Sequence, residues 1–302
     1  MFIIYCQYKP LEALMNRSLP LRLVVVAAVS AMGLSACGGS SGSSSDTQST
    51  SAAVPSAAAP SSAAAIDQGV WGAVQSSGVL RSCAVDGLLP YSSSDPKQPG
   101  LEVELAGALA KAMGVTNETV WVGTWDGLIP SLTSGQCDAI IDGLFITDER
   151  KKVVDFSDPT WGSGEVLMVR KDVDGISSLA DLKDKCVGAL QGSVTVDHLK
   201  AAGLEPRIYP SQNELILDVG NGGCDAAYLE SPSAGWALQQ DATLDLKIVD
   251  SYKSDEIFFE GIAVDKNQPV LLEQLNSAIA SVQSDGTLAS ILESYSIPVY
   301  LP

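Results

Sequence analysis

Basic residues are scarce in this sequence: 18 Lys and Arg stand against 36 Asp and Glu in 302 residues, which gives a net charge of −18. Such a chain has no basic stripe that displaces counterions from phosphates, so nucleic acid is excluded as a partner. Histidine occurs once, as His198. The sequence offers no Ser-His or Cys-His pair for nucleophilic catalysis and no metal-ligand cluster, so we expect no cofactor and no metal site.

Long apolar runs are also missing, with one exception near the N-terminus. Arg17 and Arg22 precede the apolar run 23–34, which is short for a membrane span and typical of an export signal. The run ends in Leu-Ser-Ala before Cys37. This ending resembles a bacterial lipobox, which implies cleavage before Cys37 and lipidation of its sulfur. An ordinary signal peptide followed by an unrelated cysteine is the alternative.

We therefore predict a signal peptide over residues 1–36. Residues 1–14 fit no part of the pattern, which favours Met15 as the start. Residues 37–65 are almost wholly Gly, Ser, Ala, Thr and Pro, the composition of a flexible tether. The mature protein is expected outside the cytoplasm, in the periplasm or anchored to the cell membrane, and its lipid is the only predicted membrane contact.

The folded part begins near Ile66 and alternates strands with helices. Apolar residues recur at helical spacing from Leu101 to Met113, and Gly114 is placed to end that helix. The predicted elements are the strand 79–85, the helix 101–113, the strand 121–122, the helix 126–134 and the strand 139–141. This alternation predicts an α/β fold with a parallel sheet and helices on both faces.

Four cysteines remain beyond the signal and the lipid site, in an oxidising compartment: Cys83, Cys137, Cys186 and Cys224. A weak repeat relates them, because Gly-Gln-Cys-Asp-Ala at 135–139 returns as Gly-Gly-Cys-Asp-Ala at 222–226. The repeat predicts two α/β lobes that face each other across a cleft. It also predicts the disulfides Cys83–Cys137 and Cys186–Cys224. Four buried free thiols are the alternative.

The region 124–160 reads TWDGLIPSLTSGQCDAIIDGLFITDERKKVVDFSDPT and places Arg150 just beyond a short apolar strand. A guanidinium in this acid-rich chain needs an anionic partner. We expect the carboxylate of a small ligand, held by two parallel hydrogen bonds. A surface ion pair with Asp148 or Glu149 is the alternative.

Together with GLEVELAGALAKAMG, LADLKDKCVGALQGSVT and GGCDAAYLESP, this region resembles the extracytoplasmic solute-binding proteins of ABC importers, in the polar amino-acid branch. The resemblance covers about residues 66–300. It implies a two-lobed type II periplasmic-binding-protein fold, each lobe a mostly parallel sheet flanked by helices. The implied boundaries are 66–168 plus 263–302 for lobe 1, 169–262 for lobe 2, and crossings near Val169-Arg170 and Gly261-Ile262.

The resemblance assigns Arg150 to the carboxylate of the ligand and Glu230 to its ammonium group, where the family has a shorter aspartate. Free N–H groups at the start of the helix after Ser193 suit a carboxylate, although Ser193 is also a candidate N-cap. Phe145 stands where the family carries a hydroxyl, which removes a donor. The full predicted ligand-binding set is Arg150, Glu230, Trp125, Tyr91, Gly143, Phe145, Ser193, Val194, Thr195 and Asp86.

Tyr91 and Trp125 match pocket walls of the family, and core packing is the alternative for both. The carbonyl of Gly143 is placed to accept from an ammonium group.

Two further positions bear on the ligand. Val85 and Leu88 replace an acid and an aromatic residue of basic-amino-acid binders, which argues against lysine or arginine, although Asp86 and Asp142 can add charge at the rim. His198 is expected at the surface.

These features predict a substrate-binding lipoprotein of an ABC importer, not an enzyme. It would capture a small amino acid or related carboxylate and deliver it to permease subunits, and we expect a monomer. Two alternatives stay open. One is a cyclohexadienyl-dehydratase-like enzyme on the same fold, with Glu230 as general acid. The other is a ligand sensor that presents its closed form to a receptor.

Overall fold

The computed structural model describes residues 69–252, 254, 257–297 and 302. The predicted signal peptide over 1–36, the lipid site at Cys37 and the tether over 37–65 lie outside the described residues. No helix in the part described has both the length and the hydropathy that crossing a membrane would take.

The first lobe contains a sheet with the strand order β2-β1-β3-β12-β4, where elements are numbered along the chain. Its strands are β1 (Val79–Val85), β2 (Thr116–Val122), β3 (Ala139–Ile140), β4 (Val154–Phe156) and β12 (Ala263–Asp265). Its helices are α1 (Gly69–Ser77), α2 (Leu101–Ala112), α3 (Leu128–Thr133), α4 (Asp148–Lys151), α8 (Pro269–Ser284) and α9 (Thr287–Ser294).

The second lobe contains a sheet with the strand order β10-β6-β9-β7-β8. Its strands are β6 (Glu165–Arg170), β7 (Val187–Leu190), β8 (Arg207–Tyr209), β9 (Ala226–Glu230) and β10 (Leu246–Ile248). Its helices are α5 (Val194–Ala201), α6 (Gln212–Gly220) and α7 (Ser231–Gln240). Short 3-10 turns lie at Trp125–Gly127 and Leu179–Leu182.

The two sheets have the same wiring. Read from one edge, β2-β1-β3-β12-β4 corresponds strand for strand to β8-β7-β9-β6-β10. In each sheet one strand, β12 or β6, runs antiparallel to both of its neighbours, while the other strands share one direction. The predicted mostly parallel, two-lobed fold is confirmed, and so is the repeat that predicted it.

The described residues contain the two predicted disulfides, Cys83–Cys137 and Cys186–Cys224. In the first lobe β1 pairs with β3, which begins just after Cys137, so the two Cα atoms lie 5.6 Å apart. In the second lobe Cys186 immediately precedes β7, Cys224 lies two residues before the paired strand β9, and their Cα atoms lie 4.9 Å apart. Both distances suit a disulfide.

A two-stranded ribbon links the lobes, formed by β5 (Gly162–Ser163) and β11 (Phe258–Phe259) in antiparallel pairing. Strand β6 pairs with β9 from Glu165 onward. The first crossing therefore precedes Glu165, and the predicted position at Val169-Arg170 is too late. The run from Glu165 to Arg170 reads as one strand, and nothing in its composition tells which sheet it joins.

Helices pack on both faces of each sheet, as the alternation predicted. In the first lobe α2, α8 and α9 cover one face and α3 covers the other. Helix α2 starts directly after Gly100, whose φ is +93°. A Cβ at this position would lie 2.3 Å from the carbonyl oxygen of Tyr91. Only glycine fits this contact, which holds the Tyr91 loop against the start of α2.

Candidate functional site

A small cavity lies between the lobes, beyond the carboxyl ends of β1, β7 and β9. The first lobe contributes Leu88, Tyr91 and Trp125 to its wall, and the second contributes Leu190, Gln212 and Glu230. Ligands in α/β sheets bind at such strand ends. This cavity is therefore the candidate ligand site.

Polar contacts join the lobes around this cavity. The amide of Gln191 donates to Asp126 Oδ2 at 2.6 Å, and the Asn213 amide donates to the carbonyl of Gly87 at 3.4 Å. The Arg150 guanidinium also spans the cleft, because Nη2 donates to the carbonyl of Gly192 at 3.3 Å. These contacts thus hold the two walls close together.

Arg150 is positioned by helix α4. Its backbone N–H donates to the N-cap hydroxyl of Thr147, and Nη1 donates to the carbonyl of Phe145 at 2.9 Å. Asp148 and Glu149 pair instead with nearby lysines, and Arg150 forms no ion pair with any described residue. Burial lowers the pKa of Arg150 to about 10, opposed by the charge of Glu230. The guanidinium therefore stays charged at neutral pH, and neutral carbonyl groups hold it in place.

Glu230 is the last residue of β9 and the N-cap of α7. It is half-buried and lines the cavity. Burial raises the pKa of Glu230 to about 7; the charge of Glu165 also raises it, whereas Arg150 and His198 lower it. An added cation beside Glu230 would therefore favour its ionised form.

Ser193 occupies the N-cap position of α5, but its hydroxyl makes no cap hydrogen bond. Instead Oγ donates to the carbonyl of Leu190 at 2.8 Å and lies 2.5 Å from Thr195 Oγ1. Both side chains are buried, and Val194 is half-buried beside them. Ser193 therefore holds the N-cap position, as the sequence suggested, but its side chain does not cap α5.

Tyr91 and Trp125 serve both the core and the cavity wall. Tyr91 stacks on Trp161 with ring centroids 6.1 Å apart, and its ring lies against Gly143, whose φ is +69°. Trp125 is half-buried and packs on clusters on both faces of the first sheet. Both residues therefore pack in the core and also line the cavity.

The Phe145 ring lies in a row of rings that leads from the first lobe to the second. Phe145 packs on Phe258 at 5.5 Å, and Phe258 packs on His198 at 5.1 Å. The ring Nδ1 of His198 lies 2.9 Å from both carboxylate oxygens of Glu165. Glu165 and Phe258 hold the His198 ring half-buried, with 35% of its side chain still exposed, and His198 is not among the residues that line the cavity.

Two predicted acids do not line the cavity. Asp86 is exposed and accepts from the backbone N–H and the hydroxyl of Ser94, at 2.7 and 2.8 Å. Asp142 is 1% exposed and accepts from the N–H of Val85 at 2.8 Å. The prediction of Asp142 at the rim is wrong, because its side chain turns under the end of β1. Burial raises the pKa of Asp142 to about 8.

Sequence reasoning missed three residues at the site. Leu190 and Gln212 line the cavity, but an apolar strand end and a polar helix start carry no specific signal. Glu260, 1% exposed, lies beside Tyr91 and Gly143. The sequence did indicate Glu260, because this acid follows Phe258-Phe259 in a run that is otherwise apolar.

Comparison with known proteins agrees with this fold. The L-cystine-binding protein TcyJ of Escherichia coli is 32% identical over 235 residues, 76% of this chain and 86% of that protein. An ancestral arginine-binding protein, solved bound to glutamine, superposes with a TM-score of 0.67 at 37% identity, over 72% of this chain and 97% of that one.

An ancestral amino acid-binding protein that is a precursor of cyclohexadienyl dehydratase gives a TM-score of 0.68 at 31% identity, over 75% of this chain and 98% of that one. The family model for bacterial extracellular solute-binding proteins, family 3, matches residues 80–297. The chain therefore belongs to the family 3 bacterial extracellular solute-binding proteins.

Proposed function

We propose that this protein captures an amino acid or related small carboxylate in the inter-lobe cavity and delivers it to the permease of an ABC importer. The observation that carries this proposal is Arg150, a charged guanidinium in the cleft that only carbonyl oxygens hold. The ligand carboxylate binds Arg150 and the N–H groups at the start of α5. Its ammonium group binds Glu230, at the end of β9 in the second lobe.

The test is a binding screen followed by substitution of the arginine. Amino acids are screened by thermal shift, and the dissociation constant of the best one is measured by titration calorimetry. Arg150→Ala should weaken binding by roughly tenfold to two-hundredfold, the loss of a charge-assisted hydrogen bond. Arg207→Ala is the matched control, since Arg207 pairs with Asp218 on the outer surface of the second lobe. An unchanged dissociation constant in Arg150→Ala would refute the proposed site.

Binding rather than catalysis is part of this proposal. Two observations favour testing the enzyme alternative. One similar structure is a dehydratase precursor, and a carboxyl group with a pKa near 7, such as Glu230, suits a general acid. Incubation with a cyclohexadienyl carboxylate distinguishes the two. Product formation that Glu230→Gln abolishes would establish the enzyme, whereas binding without turnover supports transport.

Anchoring and delivery are the remaining parts. Cys37 is the proposed lipid site, so Cys37→Ser should move the protein from the membrane fraction to the soluble fraction of cells. Uptake of the bound amino acid by proteoliposomes that contain the permease and its ATPase would establish delivery. Ligand-dependent binding to a receptor without uptake would favour the sensor alternative.

A further inference from the structure

Glu260 lies at the inner wall of the cleft, just after the crossing strand β11. Its N–H donates to the carbonyl of Trp161 at 2.8 Å, and its own carbonyl accepts from the N–H of Thr160 at 2.9 Å. The residue is 1% exposed. Yet neither carboxylate oxygen has a hydrogen-bond partner in the part of the chain that the structure describes. A buried acid without donors is costly, so Glu260 is poised for a partner that the protein does not supply.

The unpartnered carboxyl group lies beside Gly143, next to the ring of Tyr91. A Cβ added to Gly143 would lie 3.3 Å from Glu260 Oε2 and 2.6 Å from Cδ1 of Tyr91, so both side chains close on the same face of Gly143. Tyr91 lines the cavity together with Glu230. Its phenol oxygen is also buried and has no partner among the described residues. Two orphaned polar groups thus meet at the back of the cavity.

The balance of charge at the cleft indicates what they bind. Burial raises the pKa of Glu260 well above its usual range, and the charges of Glu102, Glu230 and Asp142 raise it further. A ligand with one carboxylate and one ammonium group would match Arg150 and Glu230 and leave Glu260 protonated and without a partner. A second protonated nitrogen would favour the ionised form of Glu260 and pair with it, with the Tyr91 oxygen as a further acceptor.

We propose that Glu260 and Tyr91 form a second cation subsite of the cleft, which selects diamino carboxylates by binding the protonated nitrogen of their side chain. This inference rests on the proposed function, in which Arg150 and Glu230 hold the other end of the ligand. The earlier argument from Val85 and Leu88 against basic ligands considered one wall of the cleft only. Here the negative charge comes from the crossing segment instead.

The test compares ligands of matched shape and different charge. Titration calorimetry is run on ornithine and norvaline, lysine and norleucine, and arginine and citrulline. The protein should bind the charged member of at least one pair ten times more tightly or better. Glu260→Gln should remove this preference, weakening the charged ligand at least tenfold and the neutral one less than twofold. Tyr91→Phe should weaken the charged ligand several-fold. The control is Glu273→Gln, an exposed acid on α8.

The outcomes separate this inference from the proposed function. Equal loss for both members of a pair would overturn it, because Glu260 would then act on the shared part of the ligand or on the fold. Preference for the neutral members, or binding of none of the six, would overturn it too. Neither result touches the Arg150 test, which uses whichever amino acid binds. If Glu260→Gln fails to fold, Glu260→Asp and Tyr91→Phe decide, with charge preference expected to persist in the first and weaken in the second.

Discussion

Arg150 donates to the carbonyl of Phe145 in the first lobe and to that of Gly192 in the second. Carbonyl groups fix the direction of the guanidinium without neutralising it. An acid in the same place would have formed a buried ion pair and reduced the attraction for a ligand carboxylate. Phe145 thus contributes to the site through its backbone.

Asp142 allows a test of how burial changes the pKa of a single carboxyl group. Its folded-state pKa of about 8 lies above the ordinary 3.8, because burial disfavours the ionised form. The protonated carboxyl therefore stabilises the fold fully below about pH 4, and this contribution is lost as the pH rises through about 8. Between pH 5 and pH 9 the free energy of unfolding should fall by roughly 2–4 kcal/mol more in the parent protein than in Asp142→Asn.

Urea denaturation at several pH values measures this difference. The amide of Asp142→Asn still offers an oxygen to the N–H of Val85, so the variant should fold. Asp148→Asn, whose side chain in the parent is 97% exposed, is the control and should follow the parent. Parallel curves for the parent and Asp142→Asn would contradict a raised pKa.

Among the elements, the paired strands β1 with β3 and β7 with β9 each carry a disulfide. Cys137 and Cys224 each lie two residues before their strand, whereas Cys83 lies within β1 and Cys186 immediately precedes β7. The cross-links hold the centre of each sheet, from which the loops that line the cavity extend. Each disulfide closes a long loop, with sequence separations of 54 and 38 residues.

Removal of the second disulfide should lower stability without moving the site. The double variant Cys186→Ser and Cys224→Ser should lose about 4 kcal/mol of unfolding free energy, the loop-entropy value for a 38-residue separation. Urea denaturation measures the loss, and calorimetry on the folded variant should return the parent's dissociation constant. A stability equal to that of the parent would show that the disulfide does not reduce the conformational entropy of the unfolded chain.

For the whole molecule, the decisive feature is that two lobes of equal wiring are joined by the ribbon of β5 and β11. Contacts between the lobes away from this ribbon are both apolar, as where Trp236 packs on Tyr295 with ring centroids 5.5 Å apart, and polar. They include the exposed hydrogen bond from Gln191 to Asp126. Such a bond contributes about 1 kcal/mol. The balance between open and closed lobes should therefore respond to single substitutions at the rim.

Asp126→Ala removes this contact. Ligand affinity should fall about fivefold, because closure becomes less favourable while the binding residues stay intact. Small-angle scattering should show a larger radius of gyration for the unliganded variant and the same value as the parent at saturating ligand. Asp148→Ala, an exposed acid of the same lobe, is the matched control. Weaker binding without any change in scattering would assign Asp126 to the ligand rather than to closure.

Much of this architecture follows from local pattern. The strand 79–85 and the helix from Leu101 were predicted at their observed starts from apolar spacing, and Gly114 marks the end of the helix. The position of the first crossing was not predictable, because Glu165–Arg170 would suit either sheet. Asp142 was placed wrongly, since a strand end gives no indication of which way its side chain turns.

The sequence by itself determined the order of elements and the pairing of cysteines, because each depends on neighbours or on a repeat along the chain. Only the tertiary structure decided that Glu260 meets Tyr91 and Gly143 at the back of the cavity. That meeting requires the chain to leave the first lobe, build the second and return through β11. The burial of Glu260 therefore depends on the return crossing, which no local pattern specifies.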